Sequence, residues 1–173
     1  VACGASVGAA LYGVDAHNLE ELLHKADLAL YRAKTGGRGG FSFYDAELDR
    51  ELQVKRERVR ELREAIHAER LHLHYQAQYG ADGQTLTGYE ALLRWTHPVH
   101  GNIPPGEFVP LAEDNGLIEV LGAWVLRRAC AEAARWPAPL TVSINLSPVQ
   151  FRGDHLLGHV AQALADSGLE PTR

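Results

Sequence analysis

A segment in which apolar and polar side chains alternate limits the possible folds of this chain more than any other feature. Residues 71–79 are LHLHYQAQY, in which apolar or aromatic side chains alternate with His and Gln. A period of two is typical of a β-strand with one buried face. Asp82-Gly83 follows, a pair that favours a tight hairpin turn. The sequence therefore predicts an antiparallel hairpin whose second arm covers residues 84–95 and ends before Pro98.

The second arm contains YEALLRW, residues 89–95, whose local preferences favour a helix. Glu90 and Arg94 have the i,i+4 spacing of an ion pair on a helix surface. The hairpin argues for a strand instead, with Glu90, Leu92 and Arg94 on one face. At about 3.3 Å per residue, Glu90 and Arg94 are then roughly 13 Å apart. Since they cannot bond to each other, we expect each to meet a different partner.

Helical and extended patterns alternate along the rest of the chain. Helices are predicted at 18–35, 46–69, 117–136 and 154–167, and a further short helix is predicted to begin within residues 103–108. Further strands are predicted at 1–11, 41–44 and 140–146. The first of these strands is rich in Gly, which suits a buried strand close to another backbone. This order is that of βα units, and the charged helix at 46–69 is predicted to connect two compact pieces, with a boundary at about residues 45–60.

Composition argues against several classes of function. The 173 residues include 17 Lys and Arg and 22 Asp and Glu, and the net charge of -5 is the wrong sign for gripping nucleic acid by its phosphates. No apolar run approaches the roughly 18 residues of a membrane span. Cys3 and Cys130 have no partners at metal spacing, which fits a reducing cytoplasm. Because the chain begins with Val1 and contains no Met, we expect it to be part of a longer protein.

Four motifs follow one another over about 80 residues: LHYQAQ, YEALLRW, PPGEFVPLAE and INLSPVQF. Together they resemble the first half of an EAL domain, the cyclic di-GMP phosphodiesterase family. The resemblance implies an α/β fold, a modified TIM-like (β/α) barrel with its active-site residues at the carboxyl ends of the strands. The barrel is expected to be partial, at residues 70–173, because a complete one takes roughly 250 residues.

Two earlier motifs, ASVGAALY and ADLALYRAKTGGR, resemble the final part of an α+β GGDEF domain, the diguanylate cyclase family. The resemblance implies a GGDEF remnant at 1–45, joined to the barrel by the long helix at 46–69. Lys34 and Arg38 match basic residues that contact triphosphate in that family, although a solvated helix end explains them equally well. The family's signature loop would precede Val1, so cyclisation is not assigned to this chain. A regulatory or dimerisation role for this remnant stays open.

The EAL resemblance implies roles for five residues. Glu90 and Asn145 match catalytic residues that are ligands of a divalent metal, and hard Mg²⁺ or Mn²⁺ suits such oxygen donors. Arg94 matches an arginine that binds substrate phosphate, Leu92 would shape the guanine or phosphate pocket, and Gln76 matches a substrate contact. Ala77 stands where the family has Pro, which weakens the assignment of Gln76. The alternatives are a solvent-facing Glu90 and a hydrogen-bonded Asn145 at a strand end.

The implied reaction is hydrolysis of cyclic di-GMP to linear pGpG by a metal-activated hydroxide. The family's later Glu, Asp pair and Lys are absent, so this portion alone is expected to be inactive. The alternative is a degenerate EAL domain that binds cyclic di-GMP without cutting it. A cytoplasmic location is expected, and a homodimer is one possible assembly. This portion is expected to contact neither nucleic acid nor a membrane. The longer protein has room for a sensor or membrane-anchored region before it.

Three other features are given structural interpretations. His72 and His74 have the spacing of a zinc pair on a strand, but no third ligand is evident. Glu113, in PLAE, is at least as consistent with a structural role on the barrel rim as with a ligand contact. Asn145-Leu146-Ser147 spells a glycosylation sequon, which is set aside because nothing indicates secretion.

Overall fold

The computed structural model describes residues 4–36, 39–68 and 70–173. They divide into two compact units, Val1–Arg56 and Glu57–Arg173, which are described separately. In the described part of the chain, no helix is both long and apolar enough to cross a membrane.

The first unit contains a βαβ arrangement. Strand β1 (Val7–Ala9) pairs in parallel with β2 (Phe41–Phe43), and helix α1 (Leu19–Thr35) lies between them in the chain. Asn18 caps α1 as predicted, because its Oδ1 accepts the backbone N–H of Glu21 over 2.8 Å. Helix α2 (Ala46–His67) follows, and the division between the units falls within it.

Strand β1 is shorter and more exposed than the sequence predicts. Gly8 does meet another backbone, since a Cβ there would lie 2.1 Å from the Leu30 backbone nitrogen of α1. The expectation of a buried strand is wrong for Val7, which is 54% exposed. The reason is that α1 packs on this small sheet while β1 pairs only with β2 among the described residues. Residues 1–3 of the predicted strand lie outside the described residues.

The second unit is built on the predicted hairpin. Strand β3 (Leu71–Tyr79) pairs antiparallel with β4 (Leu86–His97), which confirms that YEALLRW is a strand. Asp82 holds the turn, where its carboxylate accepts the backbone N–H groups of Gln84 and Thr85 and the Thr85 hydroxyl. These hydrogen bonds, led by those from Thr85, lower the pKa of Asp82 to about 2. Gly83 supplies the positive φ of 67° that the turn requires.

Two more strands extend the sheet, and four helices follow the hairpin within the described residues 98–173. Strand β5 (Gly101–Ile103) pairs antiparallel with the end of β4, and β6 (Thr141–Ile144) pairs in parallel with Gly88–Ala91 of β4. The helices are α3 (Pro105–Asp114), α4 (Ile118–Ala133), a 3₁₀ helix (Pro148–Arg152) and α5 (Leu156–Ser167). The parallel β4–α–β6 connection is the βα pattern predicted from the sequence.

The two faces of the hairpin have different surroundings. Leu71 and Trp95 lie on the apolar face and are buried against α2, α3 and α4 in one core. Its fully buried anchors include Leu62 of α2 and Phe108 of α3. The opposite face carries the polar residues of β3 and β4, among them Gln76 and Glu90 as cross-strand partners. The core therefore fixes the direction in which the candidate site residues point.

Two positions differ in detail from the expectation that the site residues end their strands. Glu90 is the fifth residue of the 12-residue β4, because β4 continues beyond its pairing with β6 to bond β5. Asn145 lies just after β6, which ends at Ile144. Both residues nevertheless lie close to the carboxyl end of the parallel pairing, whose last pair is Ala91 with Ile144.

Candidate functional site

The parallel pair of strands brings Glu90 and Asn145 into direct contact. Glu90 is paired with Ser143 of β6, and Asn145 follows two residues later on the same side of the chain. The Asn145 Nδ2 donates a hydrogen bond to Glu90 Oε1 over 2.6 Å, although 55 residues separate them in sequence. This bond uses neither the second carboxylate oxygen of Glu90 nor the amide oxygen of Asn145, and both of these oxygens are hard donors.

Polar side chains of three strands continue this face. Gln76 of β3 lies directly opposite Glu90, a position in which Cβ atoms are about 5 Å apart. A second polar contact joins β6 to β3, because the Ser143 hydroxyl donates to Gln78 Oε1 over 3.0 Å. The structure therefore places Gln76 beside Glu90, and it adds Gln78 and Ser143 to the surroundings of the pair.

Leu92 and Arg94 lie farther along β4 and line a cavity of about 320 Å³ together with Asn145. Arg94 Nη1 donates to the backbone oxygen of Leu93 over 2.8 Å. Within the described residues, no salt bridge links Arg94 to Glu90, as the strand interpretation predicts. A guanidinium with five N–H donors has further donors for a ligand oxygen at this edge.

The loop after Asn145 is held by residues that the sequence analysis did not assign to the site. The buried Ser147 hydroxyl donates to Glu113 Oε1 of α3 over 2.6 Å, and the Ser147 backbone N–H donates to Gln150 Oε1 over 3.0 Å. Ser147 and Gln150 form a capping box at the start of the 3₁₀ helix. Its S-x-x-Q signature, SPVQ, is visible in the sequence and could have been found there.

Other predicted residues lie apart from this arrangement. Lys34 belongs to the first unit, where it lines a cavity of about 480 Å³ with Gly4, Ser6 and Gly39. Arg38 lies outside the described residues. His72 and His74 have ring centroids 5.0 Å apart on β3, and the described residues provide no third metal ligand beside them.

A different cluster, Glu61, His97 and His100, has metal-ligand spacing, with its ligand atoms within 4.8 Å of one another. The buried His97 accepts the backbone N–H groups of Val99 and His100 at Nδ1, so its proton lies on Nε2. Nε2 faces Glu61 Oε1 at 3.1 Å and donates to it. A neutral imidazole in this tautomer has no free lone pair for a metal, so we assign the cluster a structural role.

The Glu90–Asn145 pair fits a hard divalent cation by the chemistry of its donors. Carboxylate and amide oxygens suit Mg²⁺ or Mn²⁺, which take oxygen ligands. Mg²⁺ takes about six ligands, of which this pair contributes two. The remaining ligands must come from water, substrate or other parts of the protein.

The second unit is an α/β unit in which β4 and β6 run parallel. The carboxylate of Glu90 and the amide of Asn145 lie near the carboxyl end of this pairing, as the EAL resemblance predicts. The family model described as EAL domain matches residues 59–173. The chain belongs to the EAL domain family.

Relatives match almost the whole chain. An uncharacterised signalling protein of Caulobacter vibrioides is 47% identical over 173 residues, which are 100% of this chain and 21% of that protein. The bifunctional diguanylate cyclase/cyclic di-GMP phosphodiesterase MucR of Pseudomonas aeruginosa is 41% identical over 99% of this chain and 26% of its own length. The chain thus spans about a fifth to a quarter of these curated relatives.

Solved structures share the fold of the second unit. The PaMucR phosphodiesterase in complex with cyclic di-GMP is 43% identical with a TM-score of 0.64, covering 66% of this chain and 48% of that one. The FimX EAL domain of Pseudomonas aeruginosa bound to cyclic di-GMP is 26% identical with a TM-score of 0.60, covering 66% of this chain and 47% of that one.

Proposed function

We propose that the whole protein hydrolyses cyclic di-GMP to linear pGpG and that this chain supplies part of the active site. The observation that carries the proposal is the 2.6 Å contact between Glu90 and Asn145, which gathers two hard oxygen donors from strands 55 residues apart. The similarity to a phosphodiesterase solved with cyclic di-GMP supports the choice of substrate.

Glu90 and Asn145 hold Mg²⁺ or Mn²⁺ in this proposal. Such a cation, when bound, makes a nucleophilic hydroxide available at neutral pH and offsets charge on the phosphate. Glu90 supplies the negative charge that retains the cation, and Asn145 supplies a neutral oxygen whose direction is set by its bond to Glu90. The acidic residues and the Lys that the EAL resemblance implies would complete the site in the whole protein.

The remaining residues bind and orient the substrate. Arg94 contacts a phosphate, for which the guanidinium fork is suited by two parallel N–H donors. Leu92 forms the apolar floor beside it, since both line the same cavity. Gln76 donates or accepts through its amide at the position opposite Glu90. Orientation of the phosphate by these groups contributes to the rate because the reacting atoms then meet in line.

We assign residues 1–45 to the end of a GGDEF domain, 46–69 to a connecting helix and 70–173 to the first half of the EAL barrel. The match of MucR across 99% of this chain supports the assignment, because that protein is named as both cyclase and phosphodiesterase. Lys34 and Arg38 would then contact nucleotide phosphate in the complete GGDEF domain. We also propose that the whole protein is cytoplasmic and forms a homodimer.

The proposal is tested with the complete protein and cyclic di-GMP in the presence of Mn²⁺, with products separated by chromatography. Formation of pGpG is the expected result. Tight binding of cyclic di-GMP without any pGpG would support the alternative of a non-catalytic receptor. If the complete protein neither binds nor hydrolyses cyclic di-GMP, the proposal that cyclic di-GMP is its ligand is wrong.

A further inference from the structure

The loop that carries Asn145 is anchored by three separate elements. Two residues after Asn145, the side chain of Ser147 is buried and donates to Glu113 Oε1 of α3 over 2.6 Å. The same hydroxyl accepts the backbone N–H of Val149 over 3.1 Å. Gln150 accepts the Ser147 backbone N–H and is itself only 2% exposed. The position of Ser147 is therefore fixed on both its side chain and its backbone.

The location of Glu113 is unfavourable for helix stability. Glu113 and Asp114 lie in the last turn of α3, which has no basic residue. The helix dipole places partial negative charge at this end, so a carboxylate here is disfavoured unless it has another partner. The bond to Ser147 provides that partner, which indicates that Glu113 serves the loop and not the helix.

Helix α4 closes the other side of the anchor. A Cβ on Gly122 would lie 2.0 Å from Gln150 Nε2, so the Gln150 amide rests directly on the α4 backbone. The amide is held at its oxygen by Ser147 and confined at its nitrogen by Gly122. Because a tightly packed Gln150 side chain has little freedom to move, it restricts the position of the loop backbone to which it is hydrogen-bonded.

We infer that Glu113 and Ser147 are positioning residues that hold Asn145 against Glu90 for cation binding. The inference rests on the proposed function, because it needs Glu90 and Asn145 to be cation ligands. Glu113 acts through Ser147, and only two backbone steps separate Ser147 from the Asn145 side chain that donates to Glu90. Loss of partners that orient metal ligands typically weakens metal affinity 10- to 100-fold.

The test measures Mn²⁺ affinity without substrate, by the electron paramagnetic resonance signal of free Mn²⁺ titrated into the metal-stripped complete protein. Glu113→Ala and Ser147→Ala are each expected to raise the Mn²⁺ dissociation constant about tenfold. Glu113→Gln keeps an acceptor for the Ser147 hydroxyl and is expected to retain most of the affinity. The matched control is Glu107→Ala, which removes an exposed glutamate from the first turn of the same helix and should leave the Mn²⁺ affinity unchanged.

A thermal unfolding curve of each variant separates positioning from general stability. Weaker Mn²⁺ binding at a temperature far below the unfolding midpoint supports the inference, and a lower midpoint with unchanged Mn²⁺ affinity overturns it. The double variant of Glu113 and Ser147 should bind no more weakly than either single variant, because both act through one bond. Additive losses would contradict that.

The reference variant Glu90→Gln distinguishes failure of this inference from failure of the proposed function. If Glu90→Gln weakens Mn²⁺ binding while Glu113→Ala and Ser147→Ala do not, the positioning role alone is wrong. If Glu90→Gln also leaves the affinity unchanged, then the pair is not a cation site and both proposals are wrong.

Discussion

At the scale of single residues, the site depends on a hydrogen bond between Asn145 and a carboxylate. The 2.6 Å separation of Asn145 Nδ2 and Glu90 Oε1 is short for an N–H···O bond, as expected when the acceptor is ionised. The bond holds the two side chains together without using the second oxygen of Glu90 or the amide oxygen of Asn145. An arrangement of this kind costs less to occupy than one in which the ligands must first be ordered.

Arg94→Ala is expected to weaken substrate use while leaving Mn²⁺ affinity nearly unchanged. Arg94 lies four residues beyond Glu90 on β4, and the proposed function assigns it to a substrate phosphate and not to the cation. Loss of a charged hydrogen bond costs about 1.5–3 kcal/mol, roughly a ten- to hundredfold fall in kcat/KM. Steady-state kinetics and a Mn²⁺ titration measure the two effects. Unchanged kinetics would place Arg94 outside the substrate site.

Sequence motifs indicated Glu90 and Asn145 as candidate metal ligands, but they predicted neither the hydrogen bond between the two nor the anchor behind them. Ser147 and Gln150 carry a local signature, so a capping box could be predicted without a structure. Glu113 could not be connected to it, because 34 residues separate Glu113 from Ser147 and only the packing of α3 beside the loop joins them. The space beside Gly122 likewise depends on tertiary contact.

At the scale of elements, β4 shows how pairing overrides local propensity. YEALLRW consists mainly of helix formers, yet it pairs with β3 along its length and with β6 through Tyr89, Glu90 and Ala91. Hydrogen bonds on both sides and burial of Trp95 outweigh propensity differences of less than about 1 kcal/mol per residue. The alternation of β3 and the Asp82-Gly83 turn predicted this outcome, because a strand followed by a tight hairpin turn requires a second strand after the turn.

Gly122→Ala tests the contact of α4 with the 3₁₀ helix. The added Cβ would lie 2.0 Å from Gln150 Nε2, and the buried Gln150 cannot move away without losing its bond to Ser147. Overpacking of this kind costs about 1–3 kcal/mol, which thermal or denaturant unfolding will measure as lower stability.

Gly158→Ala is the matched control, because Gly158 lies in α5 with nothing near its added Cβ. Ala there should be neutral or stabilising by up to about 1 kcal/mol, as helix propensity predicts. Equal stability of the Gly122 and Gly158 variants would show that the contact has room to relax.

The hairpin turn has a pH dependence that follows from Asp82. Hydrogen bonds led by those from Thr85 hold the pKa of Asp82 at about 2, below its usual 3.8. A depressed pKa means that the folded turn favours the ionised form, so this stabilisation is present above about pH 4 and is lost as the pH falls toward 2. Thr85→Val removes the hydroxyl donor and should raise the pKa of Asp82 toward 3.8. Carboxyl ¹³C chemical shifts over pH 1.5–6 measure it; an unmoved pKa would contradict the role of the hydroxyl.

At the scale of the whole molecule, the second unit has open sheet edges. In the described part of the chain, β3 pairs with β4 alone and β6 pairs with β4 alone. An EAL barrel closes when further strands cover such edges, whereas unpaired edge groups invite association with other chains. The motifs predicted an EAL-type α/β fold, and the match to residues 59–173 agrees with it. The partial barrel stays a prediction. The GGDEF assignment of residues 1–45 stays a prediction.

The isolated 173-residue chain is therefore expected to aggregate and to have neither activity. Glu90 and Asn145 provide only two of the roughly six ligands that Mg²⁺ takes, and the GGDEF-like motifs match only the final part of that domain. The chain is to be purified and incubated with cyclic di-GMP and Mn²⁺, then with GTP and Mg²⁺, while light scattering follows its size. A monodisperse chain with sustained formation of pGpG or cyclic di-GMP would contradict this expectation.

The central claim is that Glu90, held beside Asn145, retains the cation that hydrolysis of cyclic di-GMP requires. The most direct measurement is the rate of pGpG formation by the complete protein and by Glu90→Gln over a Mn²⁺ titration. The amide keeps the shape of Glu90 but not the charge that a hard cation needs. The account predicts that wild-type protein forms pGpG, that Glu90→Gln loses turnover and that excess Mn²⁺ restores it only in part. Normal turnover by Glu90→Gln at low Mn²⁺ would contradict the claim.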